Sequence, residues 1–328
     1  MMAGAAFAAF SAATLGALAM VSAAAQDVRD YGKRPIRMMV PVPPGGSTDI
    51  VARIVTGPLA EMTGYTIVID NRAGAQGTIA TEIVARANPD GHTLLFGYAT
   101  HTTLPFINKV PYDPFRDFAP ITQVSVNPLL VVVHPSVPVS NVKELIALAK
   151  YKPKLLNLGI ATAGSAGHIA AELFKLRTGT GDGIVTVTYK GGGPALVALL
   201  SGEVQMMFAS APTSMPHLKS GKLKPLATVG AKRLPYMPDL PSLGESGFSI
   251  EAAPWQGLLG PARMPREIIL RLYGEMSRVL KRPDVIERLA AAGADVVSST
   301  PEEFDARIKR ELNEYSKLIP TFGLGKQL

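Results

Sequence analysis

What most constrains this chain is a plan that it repeats. An apolar run of strand length ends in a turn rich in glycine, serine or threonine, and a helical pattern follows. The plan first occupies residues 36–53, Ile-Arg-Met-Met-Val-Pro-Val-Pro-Pro-Gly-Gly-Ser-Thr-Asp-Ile-Val-Ala-Arg. Pro43 and Pro44 end the strand because neither donates a backbone hydrogen bond. Gly45 and Gly46 permit a sharp turn and carry no side chain to obstruct a ligand. Ser47, Thr48 and Asp49 are residue types that start helices, and Ile50, Val51, Ile54 and Val55 share one helical face.

The plan recurs about four or five times. The strand at residues 93–96 opens into Gly97-Tyr98-Ala99-Thr100-His101-Thr102-Thr103. The strand at residues 155–160 opens into Ala161-Thr162-Ala163-Gly164-Ser165-Ala166-Gly167-His168, with a helix from 169 to 176. Residues 184–187 lead into Tyr189-Lys190-Gly191-Gly192-Gly193-Pro194, and residues 204–208 into Ala209-Ser210-Ala211-Pro212-Thr213-Ser214. Strands alternating with helices imply α/β architecture with parallel βαβ units. Ligands of such sheets sit beyond the carboxyl ends of the strands. Each turn aims unpaired amides of a first helical turn at one point, and that point favours an anion. The opening turn is neither a Walker loop nor Gly-x-Gly-x-x-Gly. Alone it reads as an ordinary βα turn; the repetition gives it weight.

Other elements are placed more coarsely. Gly57-Pro58 should kink or split the first helix, and residues 65–69 read as a buried strand. The run at residues 129–133 is a strand at a possible domain crossing. Residues 223–229 form a return strand, residues 268–280 an amphipathic helix, and Thr300-Pro301-Glu302-Glu303 a capping box. A chain of 328 residues suits one large or two medium domains.

Composition narrows the chemistry. Residues 1–25 are uncharged and mostly alanine, and Ala23-Ala24-Ala25 before Gln26 fits a signal-peptide cleavage site. No Lys or Arg precedes that apolar run, which is unusual for such a leader. The alternative is a membrane anchor, disfavoured because alanine is a weak membrane residue. The net charge of +7 therefore belongs to the rest of the chain. It suits an anionic small molecule, and the lack of any block of like charges argues against a nucleic-acid partner. Cysteine is absent, which excludes disulfides and thiolate chemistry.

A group of segments resembles one family. Pro43-Pro44-Gly45-Gly46-Ser47-Thr48-Asp49, Asn71-Arg72-Ala73-Gly74, Pro89-Asp90-Gly91 and Pro111-Tyr112-Asp113-Pro114 look like its markers. So do Val187-Thr188-Tyr189-Lys190-Gly191 and Gly221-Lys222-Leu223-Lys224-Pro225-Leu226-Ala227. They are similar to the substrate-binding proteins of tripartite tricarboxylate transporters, the Bug family. The resemblance implies a periplasmic binding protein of type II-like fold, two α/β lobes with a hinge and a cleft between them. It implies a signal peptide at 1–25, a first lobe from 34–128 and 227–328, and a second lobe from 129–226. It implies a monomer that closes on an organic acid and delivers it to membrane permease subunits, with no cofactor and no metal.

The ligand-binding candidates are Pro44, Gly45, Gly46, Ser47 and Thr48, then Tyr98, Thr100, His101 and Thr102. The second lobe offers Gly164, Ser165, His168, Lys190, Gly191 and Ser210. His101 and His168 read equally as ligand donors or surface caps, Lys190 as a ligand contact or a surface ion pair, and Tyr98 as a ligand wall or core. Trp255 reads as structural, and Asp49 as a helix-start residue. Ala209-Ser210 stand where relatives often carry an aspartate, which puts amino-acid specificity in doubt. Two other readings share these residues: a sensor that presents its ligand to a membrane kinase, and a secreted hydrolase using Ser165. Against the hydrolase, Gly164-Ser165-Ala166-Gly167 lacks the nucleophile-elbow spacing. His168 and Glu172 supply two possible metal ligands without a third.

Overall fold

The apolar runs become strands divided between two sheets. The computed structural model describes residues 31–248, 250 and 254–323, so the expected leader at 1–25 lies outside the described residues. The first sheet holds β1 (Ile36–Val40), β2 (Ile67–Asn71), β3 (Thr93–Tyr98), β4 (Phe118–Val126), β10 (Trp255–Pro261) and β11 (Asp295–Val296), in the order β11-β4-β10-β3-β1-β2. The second holds β5 (Leu129–Val133), β6 (Leu156–Ile160), β7 (Ile184–Thr188), β8 (Met206–Ser210) and β9 (Lys224–Thr228), in the order β7-β6-β8-β5-β9.

Both sheets have a parallel part and an antiparallel part. β1 runs parallel to β2 and β3, whereas β10 is antiparallel to β3 and β4. β6 runs parallel to β7 and β8, whereas β5 is antiparallel to β8 and β9. The parallel strands are followed by helices: α1 (Ser47–Thr63), α2 (Thr78–Ala85), α3 (Thr100–Thr103), α4 (Val142–Tyr151, after β5), α5 (Ala166–Thr178), α6 (Gly192–Leu200) and α7 (Ala211–Lys219). Helices α8 (Arg266–Val279), α9 (Pro283–Ala291) and α10 (Pro301–Leu318) complete the chain. Each sheet packs apolar side chains on both faces, as parallel sheets covered by helices require.

Three local expectations are corrected. Helix α1 runs unbroken through Pro58, because Val51, Ile54, Val55 and Leu59 bury against the first core and hold it. β2 is an edge strand of intermediate burial rather than a buried one. The glycine-containing stretch after β3 coils into the short helix α3 at Thr100.

The chain passes between the sheets at Asn127-Pro128 and again between β9 and β10. The second lobe does not end at 226. β9 continues to Thr228, and Val229, Leu243 and Ile250 bury in the second sheet's core. The first sheet resumes at Trp255.

Helix α10 touches both cores. Its start carries the expected capping box, with Thr300 and Glu303 satisfying each other's backbone amides. Phe304 and Ile308 pack in the first lobe, and Tyr315 and Leu318 pack against the second.

Candidate functional site

The strand exits of both sheets meet in one cleft. Its enclosed volume is about 110 Å³, below the roughly 300–1,000 Å³ of sites for drug-sized ligands. Four helices of useful length begin on its wall: α1 at Gly46, Ser47 and Thr48, α5 at Ser165, Ala166 and Gly167, α6 at Gly191 and Gly192, and α7 at Ser210. One comes from the first lobe and three from the second. The backbone ladder of α1 starts with the Ile50 amide on the Gly46 carbonyl, and that of α5 with Ile169 on Ser165. The amides of Ser47, Thr48, Ala166 and Gly167 precede these bonds, so the ladder does not use them.

The α1 loop is held from behind by Asp49, which is 2% exposed. Its carboxylate accepts the Gly45 amide at 2.9 Å, Asn71 Nδ2 at 2.9 Å and Arg53 Nε at 3.0 Å. Burial alone would raise this carboxyl's pKa; the bonds from Arg53, Gly45 and Asn71 outweigh it and hold it below the usual range. Asn71 also donates to the Val42 carbonyl at 3.1 Å, which fixes the strand end. Gly45 takes φ 80°, a conformation that favours glycine.

Thr100 supplies the sharpest polar feature of the wall. It is 2% exposed and lines the cleft, and its hydroxyl is buried beside the Tyr98 hydroxyl, with no other hydrogen-bond partner among the described residues. Such a group is costly unless something satisfies it. Beside it, Ser125 Oγ donates to Gln256 Oε1 at 2.8 Å, which turns the Gln256 amide nitrogen toward Ser47 Oγ at 3.5 Å. On the opposite lobe, Ser210 Oγ and Thr213 Oγ1 lie 3.1 Å apart. Among the described residues that line the cleft, none has a charged side chain.

Of the residues singled out from sequence, Gly46, Ser47, Thr48, Tyr98, Thr100, Ser165, Gly191 and Ser210 line the cleft. Lys190 lines an outer chamber that opens beside it. Pro44 and Gly45 belong to the supporting loop rather than the wall. Gly164 gives its carbonyl to Thr103 Oγ1 at 2.6 Å and its amide to His168 Nδ1 at 3.0 Å.

His101, Thr102 and His168 are corrections. The His101 ring is buried, with Nε2 donating to the Pro114 carbonyl at 2.8 Å, and it lies edge-on to Phe118. Burial pushes its pKa down to about 4, the Pro114 carbonyl pulling the other way. Thr102 Oγ1 lies 2.8 Å from Glu311 Oε2 on α10. The His168 ring closes the start of its own helix and places Nε2 3.5 Å from Glu172. It therefore does not stand as a base for Ser165, whose hydroxyl instead accepts the His168 backbone amide at 3.3 Å.

Asn127, Thr162, Thr213 and Gln256 line the cleft and were not singled out. Trp255 also reaches it, besides its structural role: Nε1 donates to Glu311 Oε2 at 2.7 Å, and the ring meets Phe304 edge-on at 5.0 Å. Among the described residues, no three His, Asp or Glu side chains gather to hold a metal. No described helix is long and apolar enough to cross a membrane.

Comparison with known proteins decides the family. The family described as tripartite tricarboxylate transporter family receptor matches residues 51–324. This chain belongs to it. Protein BugT of Bordetella pertussis is 35% identical over 315 residues, covering 95% of this chain and 94% of BugT. The solved structure of R. palustris Rpa4515 with adipate superposes with a TM-score of 0.86 at 34% identity, covering 90% of this chain and 99% of that one. MatC of Rhodopseudomonas palustris, solved with bound malate, gives 0.80 at 31%, covering 87% and 99%. This receptor family, which includes the Bug proteins, consists of solute-binding proteins rather than enzymes, and the two-sheet α/β fold is that of periplasmic binding proteins.

Proposed function

We propose that this protein is a periplasmic receptor that captures an organic acid between its lobes and hands it to the membrane subunits of a tripartite transporter. The observation that carries the reading is the uncharged cleft on which helix starts from both lobes converge. Neutral donors to a carboxylate form charge-assisted bonds, stronger than neutral pairs. A single helix start contributes about 0.3–1 kcal/mol when exposed and up to about 2 when partly buried. Micromolar affinity needs about 8 kcal/mol, so one loop is insufficient and convergence of two lobes is the physical requirement. Relatives solved with adipate and malate support the carboxylate class.

No acidic side chain lines the cleft among the described residues, so a ligand ammonium would lack a counter-ion and would face the positive ends of helices. The acid is therefore one without an amine. Residues 1–25 act as the export signal, the protein works as a monomer, and the site residues are the cleft-lining subset named above.

A thermal-shift screen over mono-, di- and tricarboxylates and amino acids tests the reading. A ligand at 100 times its Kd stabilises by about 2.7 kcal/mol. At least one amine-free acid should raise the melting temperature by several degrees. No shift from any carboxylate would count against the assignment.

A further inference from the structure

The cleft does not end at its own wall. An outer chamber adjoins it and shares Val42, Tyr98, Thr162 and Gly191. One side of this chamber is the loop at residues 73–77, where Ala75 (φ 44°) and Gln76 (φ 58°) hold left-handed conformations that such side chains rarely adopt. The loop is fixed there: Asn108 Nδ2 donates to Gln76 Oε1 at 2.7 Å, and Tyr98 OH reaches the Gln76 carbonyl at 3.3 Å.

The opposite side carries Lys190. Among the described residues lining either chamber, it has the only charged side chain. It is exposed and forms no ion pair or hydrogen bond among the described residues. It also directly precedes Gly191, the N-cap of α6. A cation is the wrong sign for that end of a helix. Folding alone gives no reason for a lysine there, whereas an anion in the chamber would answer both the ammonium and the helix start.

Resting on the carboxylate reading above, we propose that Lys190 receives a second anionic group at the far end of an elongated ligand. The inner cleft holds one carboxylate by neutral donors, Tyr98 stands between the chambers, and the distal group pairs with the ammonium outside. The site then selects linear dicarboxylates over monocarboxylates of equal length.

Calorimetry with adipate and hexanoate, which differ only in the distal group, tests this at low ionic strength. Wild type should prefer adipate by about 3- to 10-fold, the scale of a solvent-screened ion pair, and the preference should shrink as salt rises. Lys190→Ala and Lys190→Gln should bring the ratio of affinities towards one, and Lys190→Arg should keep it. Because Lys190 is exposed, unchanged melting temperatures of the free variants exclude misfolding as the cause. An unchanged ratio in Lys190→Ala overturns the inference while leaving the inner site intact. Failure of wild type to bind either acid overturns the carboxylate reading and this inference with it.

Discussion

Thr103 of the first lobe donates its hydroxyl to the carbonyl of Gly164 in the second, at 2.6 Å. Ile107 presses its Cδ1 into the space that a side chain on Gly164 would fill, and Pro43 lies against Gly191 at the other chamber. The lobes thus touch at sites next to the helix starts that form the cleft wall. In the capture proposed above, closing the lobes and completing the binding wall are one event.

Thr103→Val should weaken that event without altering the wall. It removes one inter-lobe hydrogen bond, a net contribution of about 0.5–1.5 kcal/mol. Ligand affinity by calorimetry should fall roughly 2- to 10-fold, by the same energy scale, with little change in the stability of the free protein. Gly164→Ala should do more, since its φ of 73° strains a side chain and its Cβ collides with Ile107.

Asp49→Ala should damage the α1 loop. It strands the Gly45 amide and the Arg53 guanidinium, which now share the Asp49 carboxylate. Loss of a buried partner costs about 1–3 kcal/mol, measurable by urea unfolding, and ligand binding should fall alongside it. Because hydrogen bonds hold this carboxyl's pKa below its usual range, its contribution is present above the unfolded carboxyl's pKa of 3.8 and is lost on acidification through its folded value.

Gly167→Ala should displace the start of α5. An added Cβ would run into the backbone carbonyl of Phe208 on β8, which cannot yield as a flexible side chain would. The expected result is weakened ligand binding and a lower melting temperature, whereas Gly192→Ala, with open space around it, should be mild.

His101 should give the protein a distinct acid sensitivity. Its folded pKa is about 4 against an ordinary 6.5. Between those values the unfolded chain takes up a proton that the folded chain does not, so stability falls as pH is lowered through that window. His101→Gln should flatten the pH dependence of urea unfolding between pH 7 and 5. An unchanged slope would show that other groups control it.

The strand exits were legible because glycine, serine and threonine mark where an apolar run gives way to a helix. That local signal located Gly46, Ser47, Thr100, Ser165, Gly191 and Ser210. It failed for Asn127 and Gln256, which come from a chain crossing and from the entry end of antiparallel β10 rather than from a strand exit. It also failed to separate wall from support. Thr100 and Thr102 look alike in sequence, but Thr102 is taken by Glu311, 209 residues away, and His101 by Pro114. Pro58 misled for a related reason: the burial that carries α1 through it depends on residues of α8 and α9, not on its neighbours.

In the proposed function, an uncharged wall built from the helix starts of two lobes holds a carboxylate. A crystal structure with the acid that gives the largest thermal shift tests it most directly. Carboxylate oxygens should lie about 3 Å from the amides of Ser47 and Thr48, the usual reach of such bonds. An acid bound outside this cleft, or inside it with its carboxylate turned away from those donors, would rule this binding mode out.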